Sequence, residues 1–178
     1  MLSIREKFPE FKGMAVISND QKNGIIELNS KDYSGKWLVV FFWPKDFTFV
    51  CPTEIAEFGK LNNQFQERDA QIIGASTDSE FVHLAWRQQK EELQNLPFPM
   101  YSDITRDLST KLGIIDKDAG VAQRATFIID KEGLVRFSYV TDLSVGRNPQ
   151  EVLRVLDALQ TDELCPCNWQ KGDTTINY

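Results

Sequence analysis

The reactive side chain that stands out by its position is Cys51, in the stretch "WPKDFTFVCPTE" from Trp43 to Glu54. It follows the apolar run "WLVVFF" and leads into residues with helical periodicity, so its thiol is expected where a buried strand ends and a helix begins. Free backbone N–H groups and the positive end of the helix dipole both favour thiolate over thiol at such a place, and thiolate is the nucleophilic form. The alternative reading is a small core hydrophobe beside an aromatic-rich strand. Thr48 lies three residues before Cys51 and Pro44 seven before, so a turn of "PKDFTFVC" can bring a hydroxyl against the sulfur while a proline screens it from water. Such a site is dry without being apolar, and suits a small oxygen-bearing substrate. Otherwise Thr48 is simply a strand-forming residue between two phenylalanines. The two remaining cysteines, Cys165 and Cys167, form a Cys-x-Cys pair in "ELCPCNW" close to the end of the chain.

The elements that must hold these residues follow from periodicity. "WLVVFF" (Trp37 to Phe42) shows no alternation and predicts a strand covered on both faces. From Pro52 onward, Ile55, Phe58, Leu61 and Phe65 recur at spacings of three and four, which predicts an amphipathic helix with Pro52 at its first position and Cys51 as N-cap. "AQIIGAS" (Ala70 to Ser76) predicts a second buried strand, and "TDSEFVHLAWRQQ" a second helix capped by Ser79. A short helix is expected near Arg106 to Leu112. "ATFIID" and "LVRFSYV" flank "KEG" as a hairpin with glycine in the turn, and Pro149 to Leu159 reads as a closing helix. "AVISND" and "GIIEL" suggest a further hairpin near the N-terminus.

Alternating strands and helices followed by an antiparallel hairpin and a last helix indicate an α/β fold with helices on both faces of a central mixed sheet. A thioredoxin-like core fits this order, with the N-terminal hairpin added and residues 161–178 as a C-terminal tail carrying two cysteines. With no repeat or linker evident, residues 1–178 are expected to form one domain.

Composition bounds the chemistry. The 178 residues are 42% hydrophobic and 26% charged, as in an ordinary globular protein, and no apolar run reaches the ~20 residues that span a bilayer. The N-terminus lacks the basic-then-apolar order of a signal peptide, so a cytosolic location without membrane association is expected. A net charge of −6 and a pI near 4.9, with no Lys/Arg cluster, argue against nucleic acid. Three cysteines cannot all pair within one chain, and cytosolic disulfides tend to be transient and catalytic, which makes redox chemistry a live hypothesis.

Other thiol chemistries fit less well. A cysteine hydrolase needs a base, and the single histidine, His83, falls inside a predicted helix where packing or surface exposure is its ordinary role. A metal site from Cys51, Cys165, Cys167 and His83 lacks the usual zinc spacing. A thioredoxin-type reductase needs Cys-x-x-Cys at the helix start, but position 54 is Glu.

The block "PKDFTFVCPTE" resembles the Pro-x-x-x-Thr-x-x-Cys signature of the peroxiredoxins. Similarity to the 2-Cys branch, the alkyl hydroperoxide reductase C type, continues through "STDSEFVHLAW", "FPMYSD", "RATFIID" and "VGRNPQEVLRVLDALQ", nearly the whole chain. The resemblance implies a thiol-dependent peroxidase that needs no cofactor. It puts Cys51 in the place of the peroxidatic cysteine, which becomes sulfenic acid, with Thr48 and Pro44 around it. Arg124, in "QRATF", takes the place of the arginine that supports the thiolate and polarises the O–O bond, and Glu54 and Arg147 those of its partners. A guanidinium suits that task because its charge is permanent and its donors form a fixed fork.

The same resemblance puts Cys165 in the place of the resolving cysteine, condensing with Cys51 across a dimer interface. Cys167 departs from the common pattern and stands open as an alternative resolver, a relay or an idle thiol. It also implies a dithiol reductant protein (thioredoxin-like, a flavoprotein or a small Cys-x-x-Cys protein), homodimers that assemble into rings, and, in some members, holdase activity. The Gly-Gly-Leu-Gly loop and Tyr-Phe helix of oxidation-sensitive members are absent from the sequence, so easy unwinding of the helix start and resistance to over-oxidation are expected. Phe47, Trp86 and Trp169 are candidate aromatics for either interfaces or core.

Overall fold

The computed structural model describes residues 2–176. Seven strands form one mixed sheet in the order β2-β1-β5-β4-β3-β6-β7. The strands are β1 (Lys12–Val16), β2 (Ile25–Asn29), β3 (Trp37–Phe42), β4 (Ala70–Ser76), β5 (Met100–Ser102), β6 (Arg124–Ile129) and β7 (Val135–Thr141). The helices are α1 (Cys51–Gln66), α2 (Glu80–Gln89), α3 (Asp107–Leu112) and α4 (Pro149–Gln160).

Every residue of β3 is buried, as an unalternating apolar run demands of a central strand. It runs parallel to β4 and antiparallel to β6, so the sheet changes direction beside the strand that delivers Cys51. Alternate β3 side chains feed two cores. Trp37, Val39 and Phe41 pack with Ile55, Phe58 and Phe65 of α1 and Val152, Leu153 and Leu156 of α4. Leu38, Val40 and Phe42 point the other way, toward Leu108 and Leu112 of α3 and Phe127 of β6. Helices therefore cover both faces, and the loop from β3 into α1 leaves the C-terminal end of a central strand, already oriented by strands on either side.

Two glycines have specific tasks. Gly133 takes φ +77° in the turn between β6 and β7, where "KEG" predicts it. In β4, a Cβ on Gly74 would stand 2.7 Å from the Trp43 ring and 3.0 Å from that of Phe41, so the residue is small to let the end of β3 close down.

Three details differ from the expectations, and one choice left open is resolved. Cys51 is the first helical residue, and Val50, in helical conformation and with no side-chain cap, precedes it; Pro52 falls in the second position, where its missing N–H is equally harmless. "FPMYSD" contains β5, three residues long and too short to show a period. Trp86 and Trp169 are buried, while Phe47 is 50% exposed and packs against Trp86, the rings tilted by 37° with centroids 6.0 Å apart. The segment after α4 is folded back: Leu164 bridges Ile176, and the Trp169 carbonyl accepts from Arg154 at 2.8 Å.

Candidate active site

The site is assembled where β3, α1, β6 and the loop before α4 meet. The Cys51 sulfur is 1% exposed as a residue and sits on the first turn of α1. Two donors reach Sγ: the Thr48 hydroxyl at 3.0 Å and Arg124 Nη1 at 3.3 Å. The Thr48 hydroxyl also lies 3.0 Å from the Lys45 carbonyl. It has one proton, so it bonds the carbonyl when Cys51 is a thiol that donates to it, and turns to the sulfur when Cys51 is a thiolate.

Glu54, one turn further along α1, holds two arginines. Its Oε2 takes Arg124 Nη1 at 2.6 Å and Arg147 Nη2 at 3.1 Å, and its Oε1 takes Arg147 Nε and backbone N–H, both at 2.8 Å. Arg124 is further fixed by the Leu143 carbonyl at 2.8 Å, and Arg147 by the Ala125 carbonyl at 2.8 Å and Thr126 Oγ1 at 3.2 Å. Arg147 also lies over the Phe41 ring, 5.4 Å from its centroid. All three charged groups are buried. Two guanidinium groups against one carboxylate leave this dry cluster with an unbalanced positive charge, and Cys51 Sγ lies in direct contact with it through Arg124.

A cavity of about 280 Å³ opens onto the sulfur, lined by Pro44, Thr48, Phe49, Val121, Arg124 and Leu143 among others. Its polar groups gather at the sulfur and its walls are otherwise largely apolar. Pro44 is buried and screens one side, while Phe49 stands 94% exposed at the mouth. The arrangement can seat a small molecule with a polar reacting end, donate to it from Thr48 and Arg124, and present a nucleophilic sulfur.

The structure thus brings together Cys51, Thr48, Pro44, Arg124, Glu54 and Arg147. It places Cys165 and Cys167 elsewhere, along a cavity of about 910 Å³ between α4 and the terminal segment. Cys165 is half-buried with its sulfur 3.4 Å from Thr161 Oγ1, Cys167 is exposed, and all three cysteines are free thiols. His83 is wholly buried; its Nδ1 meets Asp46 Oδ2 at 2.6 Å, so it is a packed residue away from the sulfur. Asp46 in the active loop had no signal in the sequence, since its partners lie 3 to 37 residues away.

A model of the AhpC/TSA family matches residues 4–138. The chain is 56% identical to alkyl hydroperoxide reductase C of Mycolicibacterium smegmatis, across 99% of this chain and 94% of that protein. The chain belongs to the AhpC/TSA family. As a peroxiredoxin it is a thiol-dependent peroxidase. Identity to alkyl hydroperoxide reductase C of Mycobacterium tuberculosis is 54%, with the same coverage. The solved structure of Mycobacterium bovis AhpC superimposes with a TM-score of 0.87 at 53% identity, covering 96% of this chain and 99% of that one. The reduced 2-Cys peroxiredoxin of Plasmodium vivax gives 0.89 at 35% identity, over 97% and 91%. The seven-stranded sheet with helices on both faces is accordingly the thioredoxin-like fold of the peroxiredoxins.

Proposed function

We propose that this peroxiredoxin reduces hydrogen peroxide and organic hydroperoxides through Cys51, in the cytosol. The observation that carries this reading is the buried positive cluster of Arg124, Glu54 and Arg147 abutting one sulfur. The Cys51 thiolate attacks one peroxide oxygen, the O–O bond breaks, and Cys51 becomes sulfenic acid while the other oxygen departs with the electron pair and takes up a proton as alcohol or water. Thr48 donates to the sulfur and its free lone pairs accept the hydroperoxide proton. The Arg124 guanidinium stabilises the thiolate first and then the charge growing on the leaving oxygen.

The sulfenic acid then condenses with a resolving thiol, Cys165 or its neighbour Cys167, forming a disulfide and releasing water, and an external dithiol reduces that disulfide by exchange. Disulfide geometry requires Cα atoms within about 7 Å, so the first turn of α1 unwinds before the bond closes. The resolving thiol belongs to the second copy in a homodimer that assembles further into a ring, a reading supported by the likeness to 2-Cys peroxiredoxins. Non-reducing mass spectrometry after one equivalent of peroxide tests this scheme. A disulfide between Cys51 and Cys165 or Cys167 across two chains is expected; peroxide consumption with Cys51 left reduced would refute it.

A further inference from the structure

The loop from Trp43 to Val50 carries Pro44 and Thr48, yet it has no regular structure, and Phe47 within it takes φ +56°. Its anchor is Asp46, whose side chain points away from Cys51 into the protein. Asp46 Oδ1 accepts the Trp43 indole N–H at 2.7 Å, Oδ2 meets His83 Nδ1 at 2.6 Å, and the Asp46 backbone N–H donates to Asp78 Oδ2 at 2.9 Å. His83, on α2, is fixed at its other end by the Tyr101 carbonyl, 3.2 Å from Nε2.

Both ring nitrogens of His83 therefore face oxygens. A carbonyl can only accept, so Nε2 carries a proton. Nδ1 then either carries a second proton and donates to an ionised Asp46, or accepts from a protonated Asp46. In either form the pair holds one proton more than a neutral imidazole beside a free carboxylate. Burial pushes the Asp46 carboxyl up, opposed by its bond to His83. The other titratable group that acts on the Asp46 carboxyl is Asp78, on the connection from β4 to α2; Arg87, one turn along α2, is turned instead to the Val16 and Leu96 carbonyls, and the Tyr101 phenol lies in the opposite core beside Phe11.

We infer that the Asp46–His83 pair is a positioning device for the peroxidatic site. A short relay leads from it to the sulfur: Asp46 fixes the peptide that follows Lys45, the Lys45 carbonyl faces the Thr48 hydroxyl, and that hydroxyl faces Cys51 Sγ. Loss of the shared proton sets an oxygen of Asp46 against a bare ring nitrogen, and the loop that aims Thr48 loses its anchor. His83 and Asp46 touch no reacting atom; they act through Thr48. This inference rests on the assignment of Cys51 as the site of peroxide attack.

Asparagine at position 46 offers a direct test, because its amide keeps the acceptor for Trp43 and donates to a neutral Nδ1 without any shared proton. Stopped-flow rates of Cys51 oxidation by hydrogen peroxide are compared in wild type, Asp46→Asn and Asp46→Ala, with circular dichroism confirming the fold of each. Asp46→Asn is expected within about twofold of wild type, and Asp46→Ala about tenfold slower at temperatures far below its midpoint. Should Asp46→Ala not fold, His83→Gln takes its place with the same expected loss. A merely structural role would lower the midpoints and leave the rates of folded protein equal, and that result overturns the inference, as does Asp46→Asn slowed as much as Asp46→Ala. If wild type itself shows no oxidation of Cys51, the underlying assignment has failed instead.

Discussion

Cys51, Arg124, Glu54 and Arg147 form one electrostatic unit, and each substitution within it has a distinct expected result. Cys51→Ser keeps size and shape but loses the nucleophile, so peroxide consumption measured with a dithiol reductant falls to the uncatalysed rate. Arg124→Lys keeps the charge and loses the fork that spans Glu54 and the sulfur; a drop of roughly 10²-fold in the rate of Cys51 oxidation is expected, in the range for removing one preorganised donor. Glu54→Gln strands two guanidinium groups in a dry interior, and urea unfolding is expected to show a loss of about 3–5 kcal/mol. At this scale the sequence was informative only locally. Thr48 and Pro44 are close in sequence to Cys51, so a turn could be imagined, whereas Arg124 and Arg147 lie 70 and 93 residues from Glu54 and no periodicity links them. Only the family resemblance pointed to them.

Among the elements, α1 carries both the stability of the site and its need to open. Its first turn has Pro52 but no side-chain cap, so the turn is held mainly by Glu54 and by the sulfur's own contacts. Oxidation removes the thiolate and with it one of those contacts. Hydrogen exchange at the amides of Thr53 to Ile55 is expected to accelerate in the disulfide form and to return on reduction; unchanged protection would show that α1 stays wound. Ease of opening also lets the resolving thiol compete with a second peroxide, so sulfinic acid is expected to accumulate slowly. β3, β4 and α2 were legible to the residue because their patterns are long and their boundaries marked by "SGK", "WPK" and Ser79. β5 was missed since three residues cannot show alternation, and the start of α1 was misplaced by one because proline suits both the first and the second helical position.

For the whole molecule, the order of strands decides what meets at the site. β3 lies between β4 and β6, which sets the active loop between α2 on one side and Arg124 on the other, and no local pattern announces that neighbourhood. The terminal segment was expected as a tail, but Trp169 packs and the Arg154 bond to its carbonyl ties the segment to α4. The fold also makes a prediction at high pH. Burial pushes the phenols of Tyr33 and Tyr101 up to about 12 from 10.0. Each therefore favours the native state below pH 10 and loses that contribution as pH rises toward 12, because the unfolded chain ionises first. Midpoints of thermal unfolding should fall across this window, and replacing both residues by phenylalanine should flatten the fall.

The claim on which the rest depends is that peroxide meets the sulfur of Cys51. The direct measurement uses protein with Cys165 and Cys167 both changed to serine, treated with one equivalent of hydrogen peroxide in the presence of dimedone and mapped by mass spectrometry. A single dimedone adduct on Cys51, near one per chain, is predicted. Peroxide consumed without that adduct, or an unreacted Cys51 beside intact peroxide, would contradict the account.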